Sequence, residues 1–473
     1  MKSMRLILVV IMSLSFLVSA MTESEYDLSI KVTRLSDRAI ILSTEDGSGP
    51  QVALASSMGI VVMSTLWSPG IASEYRDILE KEFGRSDFAY AINNWDRLDV
   101  VGGNSAYDDA IIIGHERCRE NLIRRQESLD RHLQELIDMW QWKAGLSQER
   151  LASYDPASED AASERVWLAY CRRIADDLSK GYSLVLPTLT FGDRLTLDLG
   201  DMTLKLYYFG RASFESGILM HVPEEKLLLT DFLFQGHHLA PTPNRSMAEL
   251  DVPIWLDVLD TVLADENSVE RVVGGPSEIH SREWLVARRD YIRQLWDEVS
   301  AACEAGLDLE TIRDRLSLET KFPYIRQWDI YTNDGPEWTE QEHSRNIRLF
   351  WAQHQTFAAH VVQKTLAESG IEAAVQKYYE LQSGSDNQIH FDENSFNALG
   401  YTLLGEGKID EAVEILKLNV EAYPDSWNVY DSLGEAYMNN GNTKLAVENY
   451  EKSLEINPEN TNAVEMLERL KKE

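Results

Sequence analysis

The sequence predicts an α+β protein: a sandwich of two β-sheets with helices on its outer faces, followed by an all-α solenoid. Three observations support this fold class. Short alternating runs separated by glycine breaks fill residues 25–65, apolar strand runs return over residues 195–232, and a 34-residue period begins at residue 394. The chain has 473 residues, 44% of them apolar, which is enough for two or three domains.

The charge balance is strongly acidic. Asp and Glu number 78 against 45 Lys and Arg, and the net charge of −33 is spread along the chain instead of forming one tail. Phosphate groups would be repelled by such a surface. We therefore predict no nucleic-acid partner and no stable membrane insertion. Solubility is the simplest use of this charge.

Residues 1–20 have the three-part pattern of a secretory signal peptide. Lys2 and Arg5 form a charged start, Leu6 to Val18 an apolar core, and Ala20 ends a small-residue cleavage site. The apolar core is shorter than the roughly 20 residues that span a bilayer. We expect export to a periplasm or the cell exterior, with a mature N-terminus near Met21. An uncleaved interfacial anchor is the alternative.

The three cysteines are Cys118, Cys171 and Cys303, an odd number and too few for a disulfide framework in an exported protein. None has the C-x-x-C spacing that is typical of redox or metal chemistry. We expect all three to be buried free thiols.

The first domain is predicted to span residues 25–320. Glu25 to Thr65 predicts a β-meander, Ile71 to Phe83 an amphipathic helix, and Ala89 to Ile92 a short buried strand. This order is typical of one half of a sandwich with helices outside. Residues 115–180 have helical periodicity and are predicted to form an insertion, after which strands return with a hairpin turn at Pro223 to Lys226.

A polar turn follows the buried strand and closes with Gly102-Gly103-Asn104. The stretch resembles the metallo-β-lactamase-like hydrolase family, whose signature here is T-H-x-H-x-D-H-x-G-G-N. In that family the histidines and the aspartate hold one or two zinc ions, which convert bound water into hydroxide. The resemblance implies an αββα sandwich with its site at this turn.

The metal ligands of that signature are largely replaced. Aligned on the glycines, the three histidine positions are Trp95, Arg97 and Val100, and only Asp99 matches. The segment from 212 to 232 resembles A-H-T-x-G, a strand, P-E-E-K and T-G-D. A later segment, RVVGGPS at residues 271–277, resembles a strand that leads into G-H-G. The corresponding ligand positions in these two segments are Ser213, Phe232 (or Asp231 after a one-residue slip) and Pro276.

These replacements predict no bound metal and no cofactor. Trp95 and Arg97 would project where the metals lie in the family, and Arg97 paired with Asp99 would form an anion-binding or peptide-binding cleft. A packed, plugged site is the alternative. A metal site rebuilt from other residues would have to draw on those that lie in or beside the matching segments: His221, His237, His238, His280, Asp99 and Asp231. His115 is expected to be structural.

The C-terminal residues repeat with a period of 34. The matching positions of the two copies are Leu399, Gly400, Ala412 and Pro424, and Leu433, Gly434, Ala446 and Pro458. This pattern resembles the tetratricopeptide repeat, in which small residues lie where two helices cross and a proline follows the second helix. The resemblance implies a groove that binds extended segments or helices of other proteins.

The array is predicted to span residues 356–473, after an aromatic connecting segment at 321–355. Thr356 to Leu381 is a degenerate first repeat, and Thr461 to Lys472 a capping helix. The alternative is that so short an array packs only on its own first domain or forms a homodimer.

Together these patterns predict an exported, non-catalytic binding or scaffold protein. A metallo-β-lactamase-like hydrolase with a reorganised metal site is the alternative function.

Overall fold

The computed structural model describes residues 28–45, 47–212, 215–234, 238–241, 250–275, 278–331, 336–384 and 389–470. These residues belong to two compact units, the first within 1–242, 250–294 and 327–335 and the second within 243–249, 295–326 and 336–473. The division after residue 294 falls inside one continuous helix, and the predicted boundary at 320 stays a prediction. The predicted signal peptide lies outside the described residues.

The first sheet has seven strands in chain order. They are β1 (Ile30–Arg34), β2 (Ala39–Thr44), β3 (Gln51–Ser56), β4 (Gly59–Met63), β5 (Phe88–Asn93), β6 (Ile111–His115) and β7 (Leu189–Phe191). Strands β1 to β4 form the predicted antiparallel meander, and β4 to β7 pair in parallel. Parallel strands need crossover connections, which the intervening helices supply.

The second sheet has six strands in the order β13-β12-β11-β10-β9-β8. They are β8 (Arg194–Asp198), β9 (Thr203–Tyr208), β10 (Ile218–Val222), β11 (Leu227–Asp231), β12 (Arg271–Gly274) and β13 (Glu278–Ser281). The predicted hairpin joins β10 to β11, with Lys226 in the left-handed region at φ +50°. Strand β11 also pairs in parallel with β12, and their register shifts between Leu229 and Asp231.

The core of the sandwich lies between the two sheets. Ile41, Val61 and Ile92 of the first sheet share it with Met220 and Leu229 of the second. The neighbouring residues along the strands point to the opposite faces and are buried as well, which is why β2 and β4 are buried along their whole length. Sheets covered on both faces read as continuous apolar runs.

Helices cover both outer faces. In the first unit they are α1 (Pro69–Phe83), α2 (Leu98–Val101), α3 (Glu116–Ser153), α4 (Glu159–Ser179) and α5 (Val252–Leu263). Residues of α1, α3 and α4 share a core with the outer face of the first sheet. Trp255 of α5 stacks on Phe209, next to β9, at 5.9 Å between ring centroids. The predicted αββα order is therefore present, with α3 and α4 as the helical insertion.

The following helix, α6 (Arg282–Glu304), contains the division between the units. The second unit contains α7 (Leu309–Arg315), α8 (Pro336–Ala352), α9 (Ala358–Ser369), α10 (Ile371–Ser383), α11 (Glu393–Gly405), α12 (Ile409–Ala422), α13 (Trp427–Asn439), α14 (Thr443–Ile456) and α15 (Thr461–Leu470). Two short strands, β14 (Thr356–Phe357) and β15 (Ile389–His390), pair in parallel. Helices α9 to α14 are three successive pairs, and α15 packs on the last of them.

Close helix contacts explain the repeat signature. A Cβ atom added to Gly400 would lie 2.6 Å from the Leu416 side chain, and one added to Gly434 would lie 3.1 Å from the Tyr450 ring. The repeat positions Leu399, Ala412, Leu433 and Ala446 are buried. Pro424 and Pro458 each follow the end of the second helix of a pair.

Two further sequence expectations have clear outcomes. Cys118 and Cys171 are buried free thiols, but Cys303 is only partly buried, because it lies near the end of α6. Among the helices that the structure describes, none combines the length and apolar character needed to cross a membrane.

Candidate functional site

The glycine pair holds two loops together at the end of the first sheet. A Cβ atom on Gly102 would lie 2.0 Å from the carbonyl oxygen of Trp67, and one on Gly103 would lie 2.0 Å from that of Thr65. Neither contact leaves room for a side chain. The glycines are thus required by the close approach of the loop after β4 to the loop after β5.

A buried amide pair fixes the same turn. Asn93 and Asn104 exchange two hydrogen bonds of 2.8 Å, and the Thr65 hydroxyl donates to Asn104 Oδ1 at 2.7 Å. All three side chains are fully buried. Such a satisfied polar network makes the turn rigid, so the residues that it carries are held in fixed positions.

Trp95 lies at the first position that the sequence resemblance assigns to a histidine ligand. Its side chain is 2% exposed and packs with Val100 and Cys118, and its ring lies 5.5 Å from that of Phe232. The indole Nε1 donates a hydrogen bond of 3.1 Å to Asp231 Oδ2. The packed alternative therefore describes this part of the site, where an apolar cluster replaces ligands.

Asp231 ends β11 in the left-handed region, at φ +45°. The register between β11 and β12 shifts just before Asp231, and the Asp231 carboxylate contacts Trp95. Asp231 is the residue that the one-residue slip would assign to the ligand position in place of Phe232. The side-chain amide of Asn94 also donates to Asp231 Oδ2. Burial raises the pKa of Asp231 to about 7, aided by the nearby Asp99 carboxylate and opposed by the hydrogen bonds from Asn94 and Trp95.

Arg97 and Asp99 form an ion pair beside this cluster. Arg97 Nε donates to Asp99 Oδ1 at 2.9 Å, and the guanidinium lies 5.0 Å from the centre of the Trp95 ring. Burial raises the pKa of Asp99 above its ordinary value, and the positive charge of Arg97 opposes that shift. The sequence-based pairing of these two residues is present in the structure.

A cavity of about 290 Å³ lies over these residues. Its wall includes the aromatic side chains of Trp67, Trp167, Tyr170 and Phe232 and the carboxylates of Asp99 and Asp231. Among the described residues that line it there is no lysine, arginine or histidine. Arg97 does not line this cavity, and the anion-binding or peptide-binding cleft expected from the sequence stays a prediction.

The site does not fit a zinc ion. An indole and a guanidinium offer no lone pair to zinc, and a catalytic zinc needs three protein ligands. In the described part of the chain no three His, Cys, Asp or Glu side chains are grouped so that they could hold a metal. Ser213, Pro276 and His237 lie outside the described residues.

Three of the histidines considered from the sequence make contacts within the fold. His115 stacks on Tyr208 at 3.8 Å and accepts a hydrogen bond from Arg117 N, and burial lowers its pKa to about 4. His221 is buried against the Ser268 carbonyl at 2.9 Å. His280 stacks on Trp284 at 3.9 Å.

Sequence reasoning missed four residues of the site. Asn94 directly follows β5, so its place at a strand end was a usable signal. Trp67, Trp167 and Tyr170 reach the cavity from a loop and from α4, which are distant in sequence from the turn. Nothing in their local pattern distinguishes them from ordinary core aromatics.

The first helices of successive repeats are also linked by polar contacts. Tyr401 of α11 donates to Glu435 of α13 at 2.8 Å. Asn462 of α15 donates to both carboxylate oxygens of Asp431, at 3.2 and 3.0 Å. These contacts connect α11 to α13 and α13 to α15.

Comparisons with known proteins agree with these two architectures. Residues 428–460 match the family model of the tetratricopeptide repeat. A metallo-β-lactamase from Pontibacter korlensis is 14% identical, with a TM-score of 0.35 over 56% of this chain and 99% of the other. The sec-alkylsulfatase Pisa1 from Pseudomonas sp. is 12% identical, with a TM-score of 0.41 over 90% of this chain and 65% of the other.

The resemblance to the tetratricopeptide repeat that was predicted from the sequence is confirmed over residues 428–460. A relative by sequence is 2,4-dinitroanisole O-demethylase subunit alpha of Nocardioides sp. (strain JS1661). It is 24% identical over 314 residues, which cover 64% of this chain and 73% of the relative.

Proposed function

We propose that this chain is an exported, non-catalytic binding protein that combines a sandwich without metal chemistry and a protein-binding repeat groove. The hydrogen bond from Trp95 Nε1 to Asp231 carries the first part. It joins a former histidine position directly to the carboxylate that would bridge two metals in the family. An indole at this place fills the ligand position and donates to one oxygen, Oδ2, of the carboxylate.

The second carboxylate of the site, that of Asp99, also has a partner. Asp99 is paired with Arg97, whose positive charge compensates it without a metal. Without a held metal the pKa of a water molecule is not lowered to near neutrality, so no hydroxide nucleophile forms at neutral pH. The match of residues 428–460 to the tetratricopeptide repeat supports the second part of the proposal, because such arrays bind segments of other proteins.

Hydrolysis assays on the full-length chain test the catalytic half. We expect no turnover above a buffer blank for a β-lactam, an aryl ester or a secondary alkyl sulfate, with or without added zinc. Turnover that follows protein concentration and disappears on chelation would contradict the proposal.

Mass measurement and N-terminal analysis test the remaining parts. The full chain has a mass of 53.9 kDa, and light scattering of purified protein should give one chain per particle. Twice that mass would favour the alternative in which the array forms a homodimer. Recovery of intact residues 1–20 on protein from the native host would contradict export with cleavage.

A metal-independent enzyme is the second candidate, and two observations favour it. The relative aligned over 64% of this chain is an enzyme subunit, named for O-demethylation of 2,4-dinitroanisole. The pKa of Asp231, about 7, suits a general acid or base at neutral pH. Release of the phenol from 2,4-dinitroanisole, abolished by Asp231→Asn, would establish this function in place of the non-catalytic one.

A further inference from the structure

The cavity over Asp231 combines two chemistries in one wall. Four aromatic side chains, Trp67, Trp167, Tyr170 and Phe232, face the same space as the carboxylates of Asp99 and Asp231. Aromatic faces carry partial negative charge and attract cations. Both components of the wall therefore favour a positively charged ligand.

The aromatic part of the wall is held in place by Trp140, which is 1% exposed. Trp67 meets Trp140 edge to face with 4.8 Å between ring centroids, and Trp167 lies 6.1 Å from Trp140. Trp167 in turn stacks on Tyr170 at 6.0 Å. Three of the four rings thus belong to one packed cluster, so little side-chain freedom would be lost on binding.

Hydrogen-bond acceptors are in excess beside Asp231. The Asn94 side chain is 3% exposed, and its Oδ1 atom is buried without a hydrogen-bond partner, while its Nδ2 atom donates to Asp231. Asn94 does not line the cavity, but its unpaired carbonyl oxygen adds partial negative charge next to Asp231. Cations already lie over neighbouring rings: Arg97 over Trp95 at 5.0 Å and Lys143 over Trp140 at 4.3 Å.

We propose that this cavity binds a small organic cation, an ammonium group carried on an apolar body, between Asp231 and the aromatic wall. The inference rests on the proposed function, in which the sandwich holds no metal, and it names a ligand class for the cavity at that site. A volume of about 290 Å³ restricts the ligand to a small molecule. The net charge of −33 raises the local concentration of cations around the protein.

Calorimetric titration of the full-length chain at pH 8 tests this inference with two matched pairs of probes. Benzylammonium is compared with benzyl alcohol, and tetramethylammonium with tert-butanol, so that each pair differs mainly in charge. We expect saturable binding of a cation and at least ten-fold weaker binding of its alcohol. Asp231→Asn should weaken cation binding ten-fold or more and leave the alcohols unchanged.

Two further variants separate the aromatic wall from general surface effects. Trp67→Leu should weaken cation binding several-fold, whereas Trp142→Leu should not change it, because Trp142 is 62% exposed and does not line the cavity. Circular dichroism confirms that each variant is folded before titration. Variants that unfold are replaced by Trp67→Phe and Asp231→Ser.

Three outcomes would overturn the inference: alcohols that bind as tightly as cations, a folded Asp231→Asn chain that binds cations as the wild type does, or no saturable binding of either cation. A metal-free, inactive chain that fails to bind cations would leave the proposed function intact. Stoichiometric metal in the same preparation would instead contradict the proposed function.

Discussion

At the scale of single residues, Asp231 combines burial with a raised pKa. Its carboxylate is buried, accepts hydrogen bonds from Asn94 and Trp95, and lies near the Asp99 carboxylate. The backbone at Asp231 is left-handed, as it is at Ser64, which lines the same cavity. Non-glycine residues in this region carry a cost of order 1–3 kcal/mol, and they cluster at functional sites.

The raised pKa of Asp231 predicts a pH dependence of stability. Because the folded-state pKa, about 7, exceeds the ordinary 3.8, the folded protein binds the extra proton between these values. Stability from this group is complete below about pH 4 and is lost as pH rises to about 7.

Asp231→Asn removes this titration, so the free energy of unfolding of the variant, relative to wild type, should rise by roughly 2 to 4 kcal/mol between pH 4 and pH 8. Urea unfolding of both proteins across this range is the measurement. A difference between the two proteins that does not change with pH would show that Asp231 titrates normally.

Trp95 should be a large contributor to stability, because it is buried and donates a hydrogen bond. Trp95→Ala should cost about 3–5 kcal/mol, from the lost burial and the cavity that it leaves. Trp95→Phe keeps most of the packing and loses only the indole N–H, so it should cost about 1–3 kcal/mol. Equal losses for the two variants in chemical denaturation would mean that packing around Trp95 contributes little.

Sequence reasoning could assign positions to the turn residues because a motif with fixed spacing was readable. Gly102 and Gly103 set the register, so the positions of Trp95, Arg97 and Asp99 followed. The choice between Asp231 and Phe232 stayed open, because it depends on a register shift between β11 and β12 that no local pattern encodes.

At the scale of helices and strands, periodicity carried most of the prediction. The meander, the inserted helices α3 and α4, and the paired helices of the repeats were all readable from apolar spacing or from the 34-residue period. The cavity could not be predicted from such spacing, because its wall is assembled from the loops after β2 and β4, from α2 and α4, and from the end of β11. Contacts between such distant segments leave no periodic signal.

The repeat crossing gives a prediction at this scale. Gly434→Leu should destabilise the array by about 1–3 kcal/mol or more, because a Cβ atom there would already lie 3.1 Å from the Tyr450 ring. Gly405→Leu is the matched control, since a Cβ atom at Gly405 meets nothing within 4 Å. Thermal melts followed at 222 nm compare the two variants. Equal melting of both would remove Gly434 from the close contact.

At the scale of the whole molecule, the chain combines a sandwich whose turn contains two closely packed glycines with an array whose helices cross at glycines. The described positions that the sequence resemblance assigns to metal ligands form an apolar cluster and an ion pair. Fold alone does not determine function, so the residues of the site must decide it.

The sandwich is proposed to hold no catalytic metal. Elemental analysis of full-length protein, purified without chelators from medium supplemented with zinc, manganese and iron, is the decisive test. An authentic zinc hydrolase carried through the same purification is the control. We expect less than about 0.1 metal ion per chain, because three protein ligands are needed and these positions do not supply them. Near-stoichiometric metal, lost on chelation together with a hydrolytic activity, would contradict it.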